Sequence, residues 1–106
     1  MSIFGSCDMS TKFVNGTGLT ISIPSEGHRV KNHGSLEGWD ALVLGASVDD
    51  LADGASKSTR QTISIKAVDD AEFEIHYTSA QGGDFIQVFT SVDITDLNAT
   101  LKLTRH

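Results

Sequence analysis

Cysteine and proline are nearly missing from this 106-residue chain, which has one of each, Cys7 and Pro24. A lone cysteine excludes an intrachain disulfide, so burial of apolar side chains must hold the fold. Aromatic residues make up 7% of the chain, with one Trp (Trp39) and one Tyr (Tyr77). No apolar run approaches the ~20 residues of a membrane-spanning helix. Basic residues are also scarce: eight Lys and Arg stand against fourteen Asp and Glu, for a formal charge of −6. They are scattered along the sequence, so the clustered basic face that phosphate contacts need is absent. No nucleic-acid partner and no membrane span are expected.

The chain has enough apolar residues, 39%, for a single β domain over residues 1–106 and no room for a second core. The start, MSIFGSCDMS, lacks the basic and apolar regions of a signal peptide. The expected location is the cytoplasm, or outside the cell after export without a standard leader. Two Asn-x-Thr sequons, at Asn15 and Asn98, point the other way.

Alternation with a period of two is the main pattern that is present. Leu19, Ile21 and Ile23 alternate with Thr20 and Ser22, and Ile63 and Ile65 with Thr62 and Ser64. Phe73, Ile75 and Tyr77 alternate with Glu72, Glu74 and His76, and Leu101 and Leu103 with Thr100 and Lys102. Each reads as a strand with one wet face. Segments 39–45 (WDALVLG) and 85–92 (FIQVFTSV) are apolar on both faces and read as strands buried near a sheet centre or sandwiched between layers. Asp69-Asp70 reads as a hairpin tip between the strands carrying Ile65 and Phe73, and Gly82-Gly83 as the next turn. Ser47-Val48-Asp49-Asp50 fits a capping box closed by Gly54, predicting one short helical turn near 47–53. The expected fold is all-β: a small antiparallel sandwich of about eight strands, immunoglobulin-like or jelly-roll-like, with a small barrel as the alternative.

Chemistry-bearing residues gather in 24–40, PSEGHRVKNHGSLEGWD. Trp39 offers a flat apolar face for a sugar ring, and Asn32, His33 and Asp40 offer directional hydrogen bonds, so these four form the candidate ligand site. Tyr77 is a second stacking candidate. The competing reading is a pair of solvated hairpin loops around a buried Trp39. His28 and His33 stand five apart, which places them on opposite faces of a strand and argues against a metal site. Asp49, Asp50 and Asp53 fail the calcium-loop pattern, because Leu51 and Arg60 fall at ligand positions. No nucleophile elbow and no phosphate-binding glycine motif is present. Glu72 and Glu74 read as exposed acids on a wet strand face. No catalytic residues, cofactor or metal are therefore expected.

The expectation is a non-enzymatic binding module, carbohydrate-binding and lectin-like or taking another small polar ligand, and acting as a homo-oligomer. The alternative is a self-assembly subunit that pairs sheet faces or edges between copies. Its supporting feature is the two-sided apolar character of residues 85–94, where Ile86, Val88, Val92 and Ile94 need cover as much as Phe85 and Phe89 and a sandwich covers only one face.

Overall fold

The computed structural model describes residues 6–32, 39–64, 71–90, 93–95 and 97–104. These residues form ten strands and no helix: β1 (Ser6–Asn15), β2 (Ile21–Ile23), β3 (His28–Asn32), β4 (Trp39–Leu42), β5 (Val48–Leu51), β6 (Ser56–Ser64), β7 (Ala71–Ser79), β8 (Asp84–Thr90), β9 (Ile94–Thr95) and β10 (Asn98–Leu103). One sheet has the order β6-β1-β10-β9. In the other, β7 carries β8 on one side and both β2 and β3 on the other, with β5 and β4 outside them. The sheets pack face to face and do not close into a barrel. No helix among the described residues is long and apolar enough to cross a membrane.

β2 and β3 are halves of one interrupted strand, since both run antiparallel to the same β7. β5 and β4 are likewise halves, pairing β2 and β3 in turn. The interruption begins at Pro24, which has no N–H to give a ladder, and ends at Gly27, whose φ of 98° suits glycine. The Leu44 N–H donates to the Ser25 carbonyl at 2.7 Å and bridges the break. Joining each pair of halves reduces the ten segments to the eight strand lengths expected.

Alternation decides which side chains meet between the sheets. Met9 and Phe13 of β1 and Ala99, Leu101 and Leu103 of β10 face Ile21, Ile23, Val30, Phe73, Ile75 and Tyr77 of the opposite sheet, all buried. Each large apolar side chain buried in this way contributes about 1.5–3 kcal/mol. The two flanks are closed differently. On one, Gly45 lies so near β6 that a Cβ there would stand 1.8 Å from the Arg60 carbonyl oxygen. On the other, the Gln87 amide donates to the Lys102 carbonyl at 3.0 Å and accepts from the Thr104 N–H at 2.9 Å.

The crossing from β1 to β2 is held by a buried polar knot. Asn15 donates through Nδ2 to the Leu19 and Leu51 carbonyls at 2.7 and 2.8 Å. Its Oδ1 accepts from the Thr17 N–H at 3.0 Å and the Thr17 hydroxyl at 2.7 Å. With 0% exposure and both amide hydrogens committed, Asn15 cannot carry a glycan in this fold.

Four expectations are corrected. Residues 47–53 contain strand β5 and a turn, not a helical turn. Val48 and Leu51 are both buried because one extra residue sits between them: Ile21 pairs Leu51 while Ile23 pairs Val48. That bulge puts Asp50 at φ 52° and reproduces the i, i+3 spacing of a helix. Segments 39–45 and 85–92 supply edge strands β4 and β8, not central ones. The hairpin expected between the strands carrying Ile65 and Phe73 is not formed by β6 and β7, which belong to different sheets; Ile65 and Asp69-Asp70 themselves lie outside the described residues. Tyr77 is buried and stacks on Phe85 with centroids 5.3 Å apart, so it offers no ring to a ligand. Gly82 and Gly83, at φ 97° and 100°, do turn β7 into β8.

Candidate functional site

Residues paired across an antiparallel ladder share a face of the sheet. Lys31 pairs Trp39, and Arg29 and Lys31 pair Glu74 and Glu72. Across β7, Glu74 and His76 pair Val88 and Ile86. Trp39, Arg29, Lys31, Glu72, Glu74 and His76 therefore line the outer face of the six-stranded sheet, away from the core.

Their contacts form one chain of charge and ring. The Arg29 guanidinium carbon lies 4.7 Å from the Trp39 ring centroid, and the Lys31 ammonium lies 5.8 Å from it. Both are cation–π distances, and they place cations against an aromatic face that is half-buried. Arg29 is held by a two-pronged pair, Nε to Glu74 Oε1 and Nη2 to Glu74 Oε2, each 3.0 Å. Glu74 is 13% exposed against 49% for Arg29, so the carboxylate is the recessed anchor and the guanidinium the reaching arm. His76 Nε2 lies 3.1 Å from Glu74 Oε1, an atom that only accepts, so that nitrogen carries the proton.

Hydrogen bonds from Arg29, with a smaller one from His76, hold the Glu74 carboxyl below the usual carboxylate range against the opposing effect of burial. The bonds to Glu74 raise Arg29 above its ordinary value, with the carboxylate charge adding to them. Glu74 is therefore a fixed anion and not an acid–base group near neutrality.

Trp39 and Asp40, two of the four expected site residues, do not share a face of β4. Trp39 is on the outer face, but Asp40, its neighbour on β4, pairs with the inward-facing Val30 and so lies on the opposite side of the strand. Asn32 ends β3 opposite Ala71 of β7. His33 lies outside the described residues. The residues that do meet Trp39 are Arg29 and Lys31 from the same segment, and Arg29 is held in turn by Glu74, 45 positions away from it. A signal for this was present: Arg29 and Lys31 alternate on β3 with the same period as Glu72 and Glu74 on β7, so complementary charges fit one antiparallel register.

His28 serves the scaffold. Its Nε2 donates to the Pro24 carbonyl at 2.6 Å, and its Nδ1 accepts the His76 N–H at 3.0 Å. The imidazole thus takes the place of a ladder partner on β7, where the chain breaks between β2 and β3. Burial lowers its pKa, outweighing the Pro24 bond, with His76 pushing the same way. Among the described residues no three His, Cys, Asp or Glu side chains converge as a metal-ligand set. Comparison with family models, with curated proteins and with solved structures finds no match to this chain, so the reading of this face rests on its own geometry.

Proposed function

We propose that this chain is a non-enzymatic binding module that takes a carbohydrate on the outer face of its six-stranded sheet, around Trp39. The observation that carries the reading is the pairing of an outward-facing indole with a guanidinium held across it by a recessed carboxylate. A sugar ring stacks its C–H face on such an indole, while Arg29 and Lys31 donate to hydroxyls and Glu74 and His76 fix their direction. The rigid ladder beneath them lowers the ordering cost of binding. A ligand bearing a carboxylate is favoured because Arg29 and Lys31 stand beside the ring, with the Glu74 carboxylate recessed behind Arg29.

Trp39 is the sole tryptophan, so its emission reports on this face alone. Titration with a panel of neutral and uronic-acid oligosaccharides is expected to change that emission and raise the melting temperature. At a hundred times the dissociation constant the gain is about 2.7 kcal/mol, a shift of several degrees. Trp39→Ala is expected to abolish the thermal shift and Arg29→Ala to weaken it. A panel with no shift and no emission change would overturn the reading.

A further inference from the structure

Edge strands of a sheet invite pairing unless something blunts them. On this molecule the other edges are blunted. β4 is short and carries Asp40; β5 is short, bulged at Asp50 and bears Asp49; β6 carries Lys57 and Arg60; β9 has two residues. β8 is different. It runs for seven residues, pairs only with β7 among the described residues, and has no charge, proline or bulge between Phe85 and Phe89. It also exposes Ile86 and Val88, at 48% and 51%, on the outer face.

The ladder's alternation shows which main-chain groups β8 turns outward. The Ser79 N–H donates to the Gly83 carbonyl at the hairpin, so the odd-numbered residues of β8 bond to β7. Asp84, Ile86, Val88 and Thr90 then direct their N–H and C=O away from it. The Thr90 N–H is capped by the Asp93 carboxylate at 3.1 Å. Among the described residues nothing caps Ile86 or Val88 in this way.

We propose that β8 is a homodimer edge: a second copy of this chain adds its own β8 in antiparallel register, about a two-fold axis through Gln87. This register sets Ile86 of one protomer opposite Val88 of its partner, and the reverse, so the two exposed apolar pairs cover each other. It sets Phe85 opposite Phe89 on the inner side and Asp84 opposite Thr90. Between Phe85 and Phe89 no like charges meet, although each chain carries a net charge of −6, and the Asp93 carboxylate on the Thr90 N–H ends the pairing there. The strand is thus complementary to itself, and this selects a second copy as the occupant over an unrelated strand. The inference stands independently of the sugar reading.

Sedimentation of the purified chain tests it without any ligand. The expected result is a mass rising with concentration from 11.3 kDa to twice that value. Ile86→Lys places a charge on the covered face, and Val88→Pro removes an outward N–H that β7 does not use. Each is expected to weaken association by on the order of tenfold or more, because a dimer carries every change twice. Far-ultraviolet circular dichroism at low concentration shows that each variant is folded. Register is read from cysteine pairs in a Cys7→Ala background. Ile86→Cys together with Val88→Cys is expected to cross-link the dimer on oxidation, and neither alone. A monomer at every concentration, association unchanged in both variants, or cross-linking by Ile86→Cys alone would each overturn the proposal.

Discussion

His28 has both ring nitrogens committed to the main chain, one donating to Pro24 and one accepting from His76. A protonated imidazole has no acceptor, so the second proton must break the bond to β7 and leave a cation at a site 2% exposed. The folded-state pKa is accordingly below the ordinary value of 6.5. Between that lowered value and 6.5 the unfolded chain binds more protons than the folded one, so stability there rises with pH. His28 therefore contributes stability that is fully present above pH 6.5 and is lost as pH falls through its folded-state pKa. Melting temperatures recorded from pH 8 to pH 5 are expected to fall on the acid side. His28→Leu is expected to flatten that part of the profile and to cost on the order of 3 kcal/mol at pH 7, because it orphans an N–H and a carbonyl. A variant that keeps the wild-type acid slope would show that another group titrates. Asn15 makes a related point without a charge: four hydrogen bonds around one amide make a sequon into a structural part.

Among the elements, β5 shows how a sequence pattern can have two physical causes. Apolar residues at i and i+3 with flanking acids describe a helix turn, and equally a strand with one extra residue. The two differ in what they ask of Asp50. In a helix interior, glycine at that position would cost about 1 kcal/mol. At φ 52° glycine is at ease, while a β-branched residue meets the left-handed penalty of about 1–2 kcal/mol. Asp50→Gly is thus expected to stay within about 0.5 kcal/mol of wild type and Asp50→Val to cost about 1–2 kcal/mol, as denaturant midpoints at constant slope would show. Strands with one wet face, such as β7 and β10, were legible because alternation records burial directly. β4 and β8 were misplaced at the sheet centre because periodicity cannot distinguish apolar residues covered by a second layer from ones left facing solvent. That Trp39 offers a flat ring was legible from its type alone. The rest of its face was not, since Arg29 meets Glu74 only through the pairing of β3 with β7, and that pairing is set by the whole sheet.

For the whole molecule, the two proposals combine through symmetry. The two-fold axis of an antiparallel strand pair is perpendicular to the sheet, so both outer faces of the dimer point the same way. The sheets join at β8, and each Trp39 stands on the far edge strand, β4, of its own half. A dimer would then present two Trp39 faces, well separated, to one surface. A small open site on a flat sheet binds a single sugar weakly, and two that face together convert the second contact into an intramolecular one. Wild type is therefore expected to bind a glycan-coated surface at least tenfold more tightly than Val88→Pro, while the two bind the same soluble monosaccharide equally. Biosensor traces on dense and sparse glycan surfaces measure this, since avidity disappears when neighbouring sugars are too far apart to be bridged. A variant that keeps tight binding on the dense surface would mean that one Trp39 face is enough, and the shared orientation of the two sites would have no part in binding.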